Sequence, residues 1–403
     1  MAAKSRARAP RGAPRGAPSK PAPRAERFEL FAICAPGLED VLEAEMRSLG
    51  LEVGKRDIGG VAFSGGSSAL FRANLWLRTA TRVIARVGDF HARLFDELER
   101  HARTLAWSRF IDGGQEVRLR VSTSKSRLYH TGAVAQRIAE AMEKSTGIAP
   151  TVTSGGEDDD ESGDTPLVIV RLFRDQCTVS IDSSGALLHR RGYRLATAKA
   201  PLRETLGAAL LLASGWDRDT PLVDPLCGAG TIPIEAALIA RRIPPGLSRT
   251  FAFMKWPGFH EPTWKKVVDE ARAQILPAAP APIFGSDRDA GAIAASRENA
   301  ARAGVAADIS FEEKVISRIA PPAGVAAGAI VTNPPYGVRV GDRDALRNLY
   351  AQLGTIVRER FPGWRLTVLS ADPRLDSQIG GTMDKILTSK NGGIAVRALR
   401  AAT

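Results

Sequence analysis

The stretch "PLVDPLCGAGTIPIEAALIARR" (221–242) decides the fold. Its opening apolar residues end in an acid, Asp224, as a short buried strand ends where it meets solvent. Gly228 and Gly230 then supply a turn that no side chain obstructs, and Thr231 opens an apolar run long enough for a helix. A strand, a glycine turn and a helix in this order form one half of a parallel βαβ unit. The same rhythm continues on both sides. "ETLGAALLLASGW" (204–216) reads as a helix, and "PIFGSDRDAGAIAASRENAARAG" (282–304) as a strand and a helix closed by Gly304. "AIVTNPPYG" (329–337) ends a further strand in two prolines. "ALRNLYAQLGTIVRERF" (345–361) and "WRLTVLSAD" (364–372) repeat helix and strand. The expectation is a doubly wound, Rossmann-like α/β sheet over residues 191–403, with a ligand at the carboxyl ends of its strands.

The first half has another rhythm. "FELFAICAPGLEDVLEAEMRSLG" (28–50) predicts a strand, a Pro-Gly turn and an amphipathic helix, and "GGVAFSGG" (59–66) a short strand between glycine turns. Residues 68–87 predict a helix running into a strand. "QEVRLRVSTSKSRLYHTGAVAQRIAEAMEKS" (115–145) predicts a strand, a basic turn and a helix, and "LVIVRLFRDQCTVSIDSSG" (167–185) two strands. These make a mixed α+β region over residues 26–190. "SGGEDDDESGD" (154–164) is an acidic Gly/Ser-rich excursion suited to avoiding a polyanion.

Charge and composition narrow the function classes. The chain of 403 residues carries a formal charge of +12. Residues 1–25 hold Lys4, Arg6, Arg8, Arg11, Arg15, Lys20 and Arg24 with no acid, so this tail owns most of the excess. Its Ala, Pro, Gly and Arg can bury almost nothing, which predicts a disordered segment. It can serve as a basic arm on phosphates or as a solubilising extension, and its prolines oppose the amphipathic helix of a transit peptide. No apolar run reaches the length that spans a bilayer; "AALLLASGW" (208–216) is far too short. Cys34, Cys177 and Cys227 are odd in number and lack CxxC spacing, so neither a disulfide framework nor a metal knuckle is expected, and a cytoplasmic setting fits.

The turns carry the chemistry. The dinucleotide fingerprint needs a third glycine where this chain has Pro233, which weakens a nicotinamide reading. "GSDRD" places Asp287 at the end of the next strand, where a carboxylate can accept both hydroxyls of a ribose, or can instead cap the following helix. In the first half, Lys125, Arg127, Tyr129 and His130 mix cations with an aromatic, suiting either an RNA backbone with an unstacked base or a plain solvated loop.

Asp224, the glycines and Asp287 resemble the cofactor loops of class I S-adenosylmethionine-dependent methyltransferases, and "NPPYG" is similar to the turn of their amine-methylating members. The order of "LFAICAPGLEDVLEAEMRSLG", "GGVAFSG", "HRRGYR", "LRETLGAALLLASGW", "LVDPLCGAGTIPIEAALIA", "FGSDRD" and "NPPYG" resembles the bacterial rRNA guanine-N2 methyltransferases that place a ferredoxin-like segment and a THUMP domain before the methyltransferase. Within them it is similar to the large-subunit rRNA members that are fused, in some bacteria, to a second methyltransferase, a partner not expected in this chain. The resemblance implies S-adenosylmethionine as cofactor, held by Asp224, Pro225, Cys227, Gly228, Gly230, Thr231 and Asp287. It implies methyl transfer to the N2 amine of a guanosine, in large-subunit rRNA, at Asn333, Pro334, Pro335 and Tyr336, without a metal. It also raises Lys125, Arg127 and Arg137 as RNA contacts.

The physical logic of the NPPY turn is legible. An exocyclic amine conjugated to a purine ring is a poor nucleophile. Two acceptors, the Asn333 side-chain oxygen and the Pro334 carbonyl, can hold its N–H groups out of plane. The prolines fix that geometry, and Tyr336 offers a face for the extruded base. Nothing in this chemistry separates guanine from adenine; the resemblance supplies guanine. One departure stands out: where family members carry an acid for the cofactor's adenine, aligning "ISFEEKVISRI" (309–319) puts Val315. Glu312 or Glu313 could substitute, or apolar packing and backbone donors could suffice. Two other readings follow: an RNA-binding or ribosome-assembly module with a degenerate cofactor pocket, and a DNA adenine methyltransferase, which leaves the first 190 residues without a role.

Overall fold

Alternation of apolar residues in residues 28–91 produces a β-α-β-β-α-β unit in the computed structural model, which describes residues 27–112, 115–153, 165–194, 202–336 and 343–402. The unit comprises β1 (Phe28–Cys34), α1 (Glu39–Ser48), β2 (Glu52–Asp57), β3 (Gly60–Gly65), α2 (Ser67–Trp76) and β4 (Ala80–His91). β1 sends Leu30, Ala32 and Cys34 into the core, as a period of two requires. The stretch expected to be a helix running into a strand breaks at residues 77–79 into α2 and β4. The basic tail and the acidic excursion lie outside the described residues.

A second unit follows: α3 (Phe95–Arg103), β5 (Arg118–Ser124), α4 (Thr131–Thr146), β6 (Thr151–Thr153), β7 (Leu167–Phe173) and β8 (Gln176–Asp182). Both units share one eight-stranded sheet in the order β2-β3-β1-β4-β8-β7-β5-β6. The twelve-residue β4 is the seam, pairing with β1 through residues 80–85 and with β8 through residues 84–91. A ladder of backbone hydrogen bonds thus fixes one unit to the other.

The second half comprises α5 (Glu204–Ser214), β9 (Leu222–Asp224), α6 (Thr231–Ala240), α7 (Glu261–Arg272), β10 (Ile283–Asp287), α8 (Ala290–Arg302), β11 (Ile309–Glu313), β12 (Ala329–Thr332) and α9 (Arg343–Arg360). It ends with β13 (Arg365–Ser370), α10 (Pro373–Ile379), β14 (Asp384–Asn391) and β15 (Ile394–Ala402). The sheet order is β11-β10-β9-β12-β13-β15-β14, parallel through β13 with an antiparallel hairpin at the edge. The direction of winding reverses between β9 and β12, which opens a crevice at their carboxyl ends. The glycine turn leaves β9 there, and the NPPY turn leaves β12.

The two halves share a continuous apolar core, in which Phe71 of α2 stacks on Phe253 at 4.6 Å between ring centroids. A buried polar cluster pins the junction. The Arg78 guanidinium donates to the carbonyls of Ile243 (2.6 Å) and Leu238 (3.3 Å). Arg191 donates to the Arg78 carbonyl (2.6 Å) and pairs with Glu235, which is fully buried. These bonds offset part of the cost of desolvating the buried charges, while Arg78 Nη1 and Glu235 Oε2 find no hydrogen-bond partner among the described residues. Gly37, at φ +91°, presses the β1–α1 turn so tightly on β14 that a Cβ would sit 1.8 Å from the Thr388 carbonyl oxygen.

Candidate active site

The glycine turn is held from below by α8. Ser296 Oγ donates to the Gly228 carbonyl (2.7 Å), and Asn299 Nδ2 to the Ala229 carbonyl (3.0 Å). Gly230 takes φ +83°, and a Cβ there would meet Ser296 at 3.1 Å and Phe311 at 3.2 Å. Gly228, at φ +51°, has nothing within 4 Å on its Cβ side. That open side gives onto a cavity of about 1100 Å³ lined by Gly228, Leu226, Asp287, Val315, Asn333 and Pro335 among others. A cavity of this size at the switch point suits a nucleoside-bearing cofactor.

Not every residue of the expected cofactor set faces that space. Gly228 and Asp287 line it. Asp224, Pro225, Cys227, Gly230 and Thr231 are buried and are not among the cavity-lining residues. Cys227 is positioned by its own amide, which donates to the Ser286 carbonyl (2.9 Å), while burial holds its thiol far above the ordinary range. Asp287 Oδ2 accepts from the Gly228 amide (3.0 Å) and Oδ1 from the Asp289 amide (3.0 Å). The helix-capping role falls to Asp289, whose Oδ1 accepts from the Gly291 and Ala292 amides.

Asp224 accepts from Thr332 Oγ1 (2.7 Å) and from the Leu226 amide (3.2 Å). Burial pushes its carboxyl up to about 7; those two bonds oppose the shift and the neighbouring Asp287 adds to it. The cationic ligand expected here would favour the ionised form.

On the other side of the crevice, the prolines leave Asn333 with its side-chain oxygen buried and without a hydrogen-bond partner among the described residues. A buried acceptor left open at a cavity wall is costly unless a ligand supplies a donor. Pro334 is buried, Pro335 is exposed on the cavity, and Tyr336 is half-buried. The Tyr336 hydroxyl accepts from Asn391 Nδ2 of β14 (3.0 Å), and burial raises its pKa despite that bond.

Val315 opens onto the cavity, 43% exposed, with Ile316 and Leu226 beside it. Glu312 and Glu313 are exposed and do not line it; Glu312 pairs instead with Lys314 (2.7 Å). Lys314 and Ser317 line the cavity on either side of Val315 and Ile316, so the wall at this end mixes apolar and polar groups.

The basic turn lies far along the other sheet. Lys125 takes φ +51°, and the Arg127 amide donates to Asp175 Oδ1 (2.7 Å), docking the turn on the β7–β8 hairpin. Tyr129 is 67% exposed with His130 against it at 4.1 Å. On the hairpin, Arg171 and Arg174 flank the Phe173 ring. Arg137 differs: it pairs with Glu140 (3.3 Å) and Glu99 (3.8 Å), so its charge is already partnered. Sequence reading missed Thr332, Ser296, Asn299 and Asn391, since a hydroxyl or amide at a helix face or strand end carries no motif. Arg171, Phe173 and Arg174 could have been found from their basic-aromatic clustering.

No helix among the described residues is long and apolar enough to cross a membrane, and no group of three or more His, Cys, Asp or Glu among them could hold a metal ion.

Comparison with known proteins places these features together. Residues 191–399 match the family described as "RMKL-like, methyltransferase domain", residues 29–84 the "RlmL ferredoxin-like domain", and residues 92–182 the "THUMP domain". A relative from Synechocystis named "Putative RNA methyltransferase" is 34% identical over 92% of this chain and 95% of its own length. "Ribosomal RNA large subunit methyltransferase K/L" of Syntrophotalea carbinolica is 37% identical over 92% of this chain, which spans 53% of that longer protein. Among solved structures, a "putative methyltransferase complexed with SAH" superposes with a TM-score of 0.81 at 30% identity, covering 93% of this chain and 97% of the other. A "predicted N6-adenine-specific DNA methylase" from Listeria monocytogenes superposes with a TM-score of 0.82 at 34% identity, covering 93% and 96%.

Proposed function

This chain belongs to the RMKL-like methyltransferase family with ferredoxin-like and THUMP domains and uses S-adenosylmethionine as cofactor, and from that premise we propose that it methylates the N2 amine of a guanosine in large-subunit rRNA. The observation that carries methylation of an amine is the buried, unpartnered Asn333 oxygen beside the cofactor cavity; guanine rather than adenine rests on the family resemblance.

The cofactor supplies an electrophilic methyl carbon on a sulfonium. Gly228 leaves room for its backbone-close approach, and Asp287 accepts from the ribose hydroxyls. Asn333 and the Pro334 carbonyl take the two N–H groups of the target amine and turn its lone pair toward the methyl group. With the cofactor bound, its sulfonium would give up the methyl group to that lone pair and keep the S–C bonding electrons, and the amine's surplus proton would pass to water. Tyr336 stacks the base once it is drawn out of the RNA. Lys125 and Arg127 hold phosphates at a distance from this centre.

The domain plan supports an RNA substrate over a DNA one: residues 26–190 find a role as the RNA-holding region and residues 191–403 as the catalytic region, with residues 1–25 as a basic arm. Large-subunit rRNA rests on the name of the relative from Syntrophotalea, and a cytoplasmic setting follows from that substrate. The test is mass spectrometry of rRNA nucleosides from a strain lacking the gene. Loss of one N2-methylguanosine supports the proposal; an unchanged nucleoside profile overturns it.

A further inference from the structure

β14 reaches the active site in a way the sheet alone does not require. Its residues alternate, with Leu387, Ser389 and Asn391 buried and Thr388 and Lys390 exposed. Asn391 therefore sits on the inner face, 6% exposed, where an apolar residue would be the ordinary occupant. Turn chemistry does not explain it. The tight turn to β15 consists of Gly392 (φ +55°) and Gly393 (φ +87°), while Asn391 is a paired strand residue opposite Ile394. What its side chain does is donate from Nδ2 to the Tyr336 hydroxyl at 3.0 Å. The hairpin is itself braced, since Gly37 packs directly on the Thr388 carbonyl.

We infer that Asn391 is a positioning residue for the methylation reaction: it anchors the Tyr336 hydroxyl so that the ring stands as a preformed wall for the extruded base. Tyr336 directly follows Pro334 and Pro335, whose fixed φ angles stiffen the chain leading to it, and Asn391 fixes the far end of its side chain. A ring held at both ends loses little freedom when a base stacks on it, which lowers the ordering cost of forming the reactive complex. The inference rests on the reading of Tyr336 as the base's platform.

A double-mutant cycle tests it, with Asn391→Leu, Tyr336→Phe and the combination measured for single-turnover methylation at saturating RNA and for S-adenosylhomocysteine affinity. Each single change is expected to slow methylation by roughly tenfold, the scale of one lost hydrogen bond, with cofactor affinity unchanged. The double variant should be no slower than either single one, because both remove the same bond. Multiplying effects, or a loss of cofactor affinity in Asn391→Leu, would overturn the inference by showing that Asn391 supports the hairpin instead. Tyr336→Phe leaves β14 intact, so a wild-type rate in that variant overturns the inference even if Asn391→Leu does not fold. Tyr336→Ala separates the two levels. If it methylates at the wild-type rate, the platform reading itself falls; if it is slow while Asn391→Leu and Tyr336→Phe are not, only the anchor falls.

Discussion

Thr332 Oγ1 donates to Asp224 Oδ1 over 2.7 Å, joining the strand that ends in the NPPY turn to the strand that ends in the glycine turn. The bond lies beneath both halves of the crevice and couples the cofactor side to the acceptor side. Burial holds the Asp224 carboxyl up at about 7 against the lowering effect of the Thr332 bond, which yields the first prediction. A cationic ligand favours the ionised carboxylate, so binding should release a proton below pH 7. Cofactor affinity should fall by up to about tenfold per pH unit below 7 and level off above it. Without ligand the folded pKa lies above the unfolded value of 3.8, so the fold holds more protons than the unfolded chain between pH 4 and 7. Stability should therefore decline as pH rises through that window. Titration calorimetry across pH 5.5–8.5 checks the affinity, and Asp224→Asn should flatten the profile.

Asp287 offers its two carboxylate oxygens to the Gly228 and Asp289 amides and still lines the cavity. Asp287→Ala should weaken S-adenosylhomocysteine binding by about 1–3 kcal/mol through loss of a charged acceptor. An unchanged dissociation constant would assign Asp287 to loop structure alone.

The two glycines of the turn should fail differently. Gly230→Ala drives a Cβ against Ser296 and Phe311 at a left-handed φ, so it should cost about 1–3 kcal/mol of stability, visible as a lowered Tm. Gly228→Ala carries the same left-handed strain at φ +51° but meets no protein atom within 4 Å, so it should cost less stability than Gly230→Ala and, at the cavity wall, weaken cofactor binding as well. Thermal shift and binding measured on both variants distinguish the two.

RNA grip is expected to divide between Lys125 and Arg127 on one side and Arg137 on the other. Neutralising Lys125 and Arg127 should weaken RNA binding and flatten its salt dependence by about 0.7 in log–log slope per lost phosphate contact. Neutralising Arg137 should do less, because Glu99 and Glu140 already pair with it. Binding across a salt series checks this; wild-type affinity for the Lys125/Arg127 variant at every salt concentration would move the grip elsewhere.

Local periodicity made much of this architecture legible in advance. The strand, glycine turn and helix from Leu222 to Ala240, the strand into Asp287 and the NPPY turn all announce themselves through residues whose backbone roles are restrictive. What was not legible depends on contacts distant in sequence. The antiparallel β14–β15 edge follows a helix and a loop with no distinctive pattern. Asn391 belongs to no motif in the sequence, and only the fold brings its side chain to Tyr336. Thr332 is one more β-branched strand residue until Asp224 appears beneath it. Arg137 reads as a free cation on the helix after a basic turn, and only the fold brings Glu99 of another helix beside it. Pro225 and Cys227 belong to the motif, yet they are buried and do not line the cavity.

The most direct measurement is the identity of the methylated nucleoside formed by purified protein, labelled S-adenosylmethionine and unmodified large-subunit rRNA, with Asn333→Ala in parallel. The account predicts label in N2-methylguanosine for the wild type. It predicts a rate lower by several kcal/mol of barrier for Asn333→Ala, with S-adenosylhomocysteine affinity unchanged. Label appearing in N6-methyladenosine of the rRNA instead, or an Asn333→Ala variant that turns over at the wild-type rate, would contradict it.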